Sequence, residues 1–217
     1  MDEFIGGNDP IKVIMLGDHG VGKTSLCKAI IQFETPDQEA DEVHLPIFDN
    51  ETESEKLYHE KNFQFEEETV RLQFWDIPKG ENHVKLPNIY FHNTKVALIC
   101  FDLTDKKSFE NVRKWIGILD ERASDDEVNI GLIACKADKE AEQQVTFEEV
   151  QNLNDEYGGF IQYVSSIKEK GIFDLLELVC EAAFYDDDEE DGDGTTENKK
   201  LSFNFLKEQF GKSCLSS

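Results

Sequence analysis

Arginine is scarce in this chain, with Arg71, Arg113 and Arg122 the three in 217 residues, and acidic residues outnumber Lys plus Arg by 47 to 22 for a formal charge of −25. A chain so short of positive charge argues against unaided binding to nucleic acid or to an anionic lipid face, where phosphates would be repelled. Protein partners are expected to present basic surfaces. Cysteine is sparse and scattered, at Cys27, Cys100, Cys135, Cys180 and Cys214, with no Cys-x-x-Cys pair. The start MDEFIGGNDP lacks the charged and apolar segments of a secretory signal, so reduced thiols and a cytoplasmic location are expected. Long hydrophobic runs are missing too. The apolar stretches are strand-sized, short of the ~20 residues that cross a bilayer, which predicts no membrane span. No internal repeat is visible.

What is present fits one ordinary domain and a tail. A chain of this length buries roughly 70% of its unfolded surface without a metal or disulfide staple. Apolar runs at 11–16, 70–75, 96–101, 130–134 and 160–164 read as strands. Helical patterns follow most of them, at 23–33, after the cap candidate Ser108, behind the capping-box pair Thr146 and Glu149, and at 172–183. This alternation is the signature of βαβ units, and it predicts an α/β fold with a mainly parallel sheet. Residues 57–65 alternate loosely before the acidic run 66–68, which predicts a hairpin and an antiparallel edge. Two acidic blocks stand apart: residues 34–60 hold ten Asp and Glu against Lys56, and YDDDEEDGDG fills 185–194. Both are expected to be exposed and mobile. The expected organisation is therefore an N-terminal extension at 1–9, one domain at 10–184 and an acidic, disordered tail at 185–217. In the tail, Phe203, Phe205, Leu206 and Phe210 fit neither period cleanly and read either as a docking segment or as an apolar part of the disordered stretch.

The chemistry is concentrated in Gly17 to Ser25, GDHGVGKTS. Gly-x-x-x-x-Gly-Lys-Thr after an apolar strand is the phosphate-loop pattern, whose glycines let successive backbone N–H groups turn toward phosphate oxygens. Gly17, Gly20 and Gly22 permit the tight path, and His19, Val21 and Ser25 complete the expected lining. Lys23 is expected to reach the β and γ phosphates and Thr24 to bind Mg²⁺ through its hydroxyl, while the following helix presents its positive end to the anion. His19 reads as a replacement for a small neutral residue, not as an acid or base. The three scattered arginines supply no arginine-rich lid, which argues against a metabolic kinase built on the same loop.

Four runs carry a resemblance: GDHGVGKTSL, LQFWD at 72–76, YFHNTKVALICFDLTDKKSFENVRKW at 90–115, and CKAD at 135–138. Over about residues 10–184 the chain resembles the Ras superfamily of small GTPases, and its Rab branch most closely. The resemblance implies a six-stranded, mostly parallel sheet flanked by helices, GTP or GDP with Mg²⁺ as ligands, and two switch segments that order around the γ-phosphate. It also implies effectors, exchange factors and GTPase-activating proteins as partners of a monomeric switch in vesicle traffic. In the base-recognition motif Lys136 and Asp138 match. The Asp138 carboxylate can accept from the guanine N1–H and N2–H₂ groups, whereas adenine offers no such donor pair. Ser165 and Ser166 resemble the Ser-Ala of the last base-contacting loop, with Ile167 in place of lysine. Asp76 matches the partner of Mg²⁺.

The departures are as informative. Cys135 replaces the amide residue of the base motif, and a thiol is too weak a donor and acceptor to copy it, so looser binding is expected. In an ungapped alignment of the second switch, DIPKGE, Lys79 stands where the family has glycine and Gly80 where it has the catalytic glutamine. A one-residue slip would return Gly80 to the phosphate and put Glu81 in the glutamine's place. Slow hydrolysis is expected, with Lys23, Lys79 and Gly80 as the residues that bear on it. The first switch is longer than in Rab proteins; Thr52 is the candidate Mg²⁺ threonine, with Thr35 second, and 43–48 could instead belong to the second strand. Cys214 lies fourth from the end in Cys-Leu-Ser-Ser, a partial prenylation pattern that would give reversible association with the cytosolic face of endomembranes. Two readings stay open: an atypical, slow Rab-like GTPase, or a pseudo-GTPase that serves as a binding scaffold.

Overall fold

Val13 to Leu16 are completely enclosed, and an unbroken apolar run of that kind suits a strand covered on both faces. The computed structural model of the protein describes residues 9–34, 58–77, 86–123 and 128–184. Within them, six strands form one sheet: β1 (Ile11–Gly17), β2 (His59–Phe65), β3 (Glu68–Asp76), β4 (Val96–Asp102), β5 (Asn129–Cys135) and β6 (Phe160–Val164). Their order is β2-β3-β1-β4-β5-β6. Only β2 runs antiparallel, paired to β3 from His59↔Phe74 to Phe65↔Glu68, so the expected hairpin and edge are present.

Alternation of side chains along β1 sorts the core into two layers. Val13 and Met15 face a cluster with Leu26, Ile30, Leu175, Leu176 and Val179, which seats α1 (Lys23–Gln32) and α5 (Ile172–Phe184) on one side. Ile14 and Leu16 face Val112, Trp115, Ile116, Val150 and Leu153, which seats α3 (Val112–Arg122) and α4 (Phe147–Tyr157) on the other. Period 2 on the strand and period 3.6 on the helices meet in these two layers. The short α2 (Lys106–Glu110) leads into α3.

Local chemistry sets the helix ends. Thr146 and Glu149 form the reciprocal capping box of α4, and Gly158 closes that helix at φ 76. Ser108 does not start a helix. Asp105 caps α2 by accepting from the Lys107 N–H, while the Ser108 hydroxyl lies inside the helix, bonded to the Asp105 carbonyl at 2.8 Å and accepting from the Asp102 N–H at 2.9 Å. A hydroxyl three residues into a helix can bond back to the preceding turn, and here that geometry wins over capping. Among the described residues no helix is long and apolar enough to cross a membrane.

Strands β1, β3, β4 and β5 end at Gly17, Asp76, Asp102 and Cys135. Parallel pairing therefore brings these four positions to one edge of the sheet, the place where open α/β sheets hold ligands. At Gly17 the backbone has φ +139, and an added Cβ would lie 2.2 Å from the Cys100 carbonyl oxygen, whereas Gly20, at φ +84, has nothing within 4 Å. Gly17→Ala is accordingly expected to cost about 3 kcal/mol or more and Gly20→Ala about 1 kcal/mol, read as urea unfolding midpoints without nucleotide. Equal losses at the two positions would contradict this close approach.

Candidate functional site

The loop between β1 and α1 follows a path that its glycines make possible, with φ of +139, +84 and +119 at Gly17, Gly20 and Gly22. Helix α1 begins immediately after, with Gly22 at its N-cap and no side chain capping it. Its first N–H groups thus face the loop without a side-chain acceptor, an arrangement that suits an anion. Lys23 folds over the loop and donates to the carbonyls of Gly17 at 2.7 Å and Asp18 at 2.8 Å. An ammonium carries three donors, so one remains for an outside oxygen. Val21 is buried, whereas His19, Gly20 and Ser25 are exposed at the rim.

Thr24 donates its hydroxyl to Asp76 Oδ2 at 2.6 Å, joining the first turn of α1 to the end of β3. The other oxygen, Asp76 Oδ1, is buried and has no hydrogen-bond partner. A buried, unpartnered carboxylate oxygen is costly unless a cation or its bound water faces it. The hard oxygen donors of Thr24 and Asp76 therefore fit the Mg²⁺ that the loop chemistry implies.

On the far side of the edge, Lys136 sits at φ 62 and pairs with Asp102 at 2.5 Å. Asp102 also accepts from the Thr104 N–H at 2.8 Å and the Thr104 hydroxyl at 2.7 Å. Burial works to raise the Asp102 pKa, but the bonds from Lys136 and Thr104 outweigh it and hold the carboxyl below its usual range. Asp138 accepts from the Ser165 hydroxyl at 2.6 Å. Each carboxylate oxygen has two lone-pair sites, so the group keeps capacity for two further donors. The two loops are stitched together by the Ala137 N–H to the Val164 carbonyl at 3.1 Å, and the Ser165 Oγ also accepts from the Lys168 N–H at 3.1 Å. Ser166 is half-buried beside it and Ile167 is 80% exposed.

Cys135 is 3% exposed and turns into the core, its Sγ 3.8 Å from the Ile133 carbonyl. A Cβ on Gly22 would lie 3.7 Å from the Cys135 Cβ and 3.9 Å from its Sγ, so the phosphate loop packs directly on this residue. Cys100 and Cys27 belong to the same cluster. The bond from Cys135, with burial second, pushes the Cys100 thiol up, and burial pushes Cys27 up to about 12. Thiols held protonated in this way are inert packing groups.

The geometry gathers Gly17, Gly20, Val21, Gly22, Lys23, Thr24, Asp76, Lys136, Asp138, Ser165 and Ser166 at one edge. Thr52, Lys79, Gly80 and Cys214 lie outside the described residues. Sequence reasoning missed Asp18, Asp102, Asn111 and Trp115. The signal that could have found the two aspartates is their place: each ends a parallel strand or directly follows one, at the ligand-bearing edge.

Residues 12–183 match the profile of the Ras family. Relatives include the GTP-binding protein ypt2 of Schizosaccharomyces pombe, 32% identical over 68% of this chain and 68% of its own. Others are the Ras-related protein RabC of Dictyostelium discoideum, 25% identical over 90% of each chain, and the Ras-related protein Rab-15 of Rattus norvegicus, 28% identical over 93% of this chain and 90% of its own. A phosphate loop, a Thr24–Asp76 pair and a Lys136–Asp138 base motif on a six-stranded, mostly parallel sheet agree with that match, and the chain belongs to the Ras family of small GTPases as a Rab-like member.

Proposed function

We propose that this protein is an atypical Rab-like switch that binds GTP and GDP with Mg²⁺ and hydrolyses GTP slowly, acting as a monomer in membrane traffic through effectors, exchange factors and GTPase-activating proteins. The observation that carries the nucleotide assignment is the pairing of an uncapped, lysine-crossed glycine loop with a carboxylate, Asp138, held by Ser165 at the same sheet edge. In this reading the loop N–H groups and Lys23 take the phosphates, and Thr24 with Asp76 holds the metal. When bound, Mg²⁺ would neutralise charge on the β and γ phosphate oxygens. Lys136, its ammonium anchored on Asp102, lays its aliphatic stem along the base. Asp138 selects guanine by accepting from N1–H and N2–H₂, a pairing whose loss would leave a desolvated charge alone.

The expected consequence is a preference for GTP and GDP over ATP of about tenfold or more, equal to about 1.4 kcal/mol. Asp138→Ala is expected to erase it, and Cys135→Asn, by restoring an amide where the thiol now packs, to tighten GDP. Competition of ATP against a labelled guanine nucleotide measures both, and equal competition by ATP would overturn the guanine assignment.

Slow turnover follows from Gly80, which has no side chain to orient a water, and Lys79, whose flexible ammonium is a poorer template than a glycine amide. Phosphoryl transfer leaves little covalent chemistry to the protein, so positioning and charge stabilisation set the rate. Loss of one positioned group costs a factor of about 100 to 1,000. A Lys79→Gly, Gly80→Gln double variant is expected to hydrolyse preloaded GTP faster by about that factor in single turnover. If the native chain binds GTP yet matches the variant, the proposed alignment of the second switch fails. If it binds no nucleotide, the scaffold reading replaces the switch.

Prenylation at Cys214 is the proposed route to membranes. One lipid chain gives reversible residence, and the acidic 185–194 block opposes a polybasic second signal. Intact mass of protein from its native cells is expected to show removal of the three residues after Cys214 with a farnesyl addition. A mass ending at an unmodified Ser217 would rule this out.

A further inference from the structure

Asp18 is an anion one residue past β1, in a loop built to receive phosphate. An unpaired carboxylate there would repel the ligand. Instead both of its oxygens are committed to neutral donors on another element: Oδ1 accepts from the Trp115 Nε1–H at 2.8 Å and Oδ2 from the Asn111 Nδ2–H at 2.6 Å. Asn111 is the junction of α2 and α3, and Trp115 lies in the first turns of α3. Trp115 is 8% exposed and belongs to the core layer under that face, so its N–H is held at a fixed point. The Asp18 main chain is tied as well, its carbonyl accepting from Lys23 Nζ at 2.8 Å.

The loop has need of such an anchor. Three glycines at positive φ give it wide conformational freedom, and nothing approaches within 4 Å of where a Gly20 Cβ would stand. Its far end is pinned by Thr24 on Asp76. Its near end is pinned to a different element by Asp18.

We propose that Asp18 is a positioning residue that clamps the phosphate loop to α3 through Asn111 and Trp115, so that retention of the guanine nucleotide depends on this contact. The proposal rests on the nucleotide-binding reading above and deepens it. With the clamp in place, the loop N–H groups are held in their phosphate-facing arrangement before ligand arrives, and ordering them costs less on binding. The same contact turns the carboxylate away from the phosphate position, and it makes α3 a part of the site although its residues sit outside the phosphate motif.

The test uses the full chain, with Asp18→Ala, Trp115→Phe and the double variant, and two readouts. Trp115→Phe keeps an aromatic ring in the core and removes the N–H. Amide hydrogen exchange over 17–24, without nucleotide, is expected to speed up in both single variants. Release of fluorescently labelled GDP is expected to become about tenfold faster in each, since a hydrogen bond to a charged group is lost. The double variant is expected to release no faster than Asp18→Ala alone, because both changes break one contact. Loop exchange unchanged in both single variants overturns the clamp, even if Trp115→Phe lowers the melting temperature. So does loop exchange that speeds up while GDP release stays within about twofold of native. If the native chain takes up no GDP, the function proposed above fails, and faster loop exchange in both variants still supports the clamp.

Discussion

The approach of Gly17 to the Cys100 carbonyl is the contact on which the site depends. Strand β1 lies between β3 and β4, and its register with β4 sets Gly17 opposite Cys100. An added Cβ would stand 2.2 Å from that carbonyl oxygen, closer than any side chain tolerates. Because glycine permits the approach, the chain can leave the sheet at φ +139, turn through the loop and enter α1 at Gly22. The positions of Lys23 and Thr24, and hence their bonds to Gly17 and Asp76, follow from that exit. So does the packing of Gly22 against Cys135.

A second constraint is electrostatic. A chain of formal charge −25 carries four aspartates at the edge where a polyphosphate would sit, and each is committed to a partner. Asp18 is held by Asn111 and Trp115, Asp76 by Thr24, Asp102 by Lys136 and Thr104, and Asp138 by Ser165. Three of the partner sets are neutral donors on neighbouring helices and loops, which fix direction without cancelling charge. The single strong charge pairing, Asp102 with Lys136, serves to hold the base-motif lysine. Charge at this edge is thus aimed, not removed, and Asp76 Oδ1 remains buried and without a partner.

Behind the loop, Cys135 replaces a polar amide with a thiol that packs as a small apolar group among Cys27, Cys100 and Leu26. This gives the loop an apolar floor, on which Gly22 rests at van der Waals distance.

The apolar runs by themselves marked five strands, a candidate hairpin at 57–65 and the placement of the phosphate loop between β1 and α1, because burial of a period-2 face against period-3.6 helices is written in local sequence; the count of six strands was implied by the family resemblance and is met by the fold. Motif spacing, which is local, marked Lys23 and Thr24 as candidates, and the resemblance to small GTPases marked Asp76 and Asp138. The apolar runs end one residue short of the strands at Gly17, Asp76, Asp102 and Cys135, because backbone pairing and burial continue regardless of side-chain polarity, as the buried Gly17 and Asp102 show. Helix α2 was started at Ser108 instead of Asp105 because both can cap, and only the path of the chain after β4 decides between them. Tertiary structure alone decided that Asp18 reaches Asn111 and Trp115, and that Asp102 holds Lys136. Those partners lie 93, 97 and 34 residues apart in the chain, and their meeting is a product of parallel register, which no local pattern encodes.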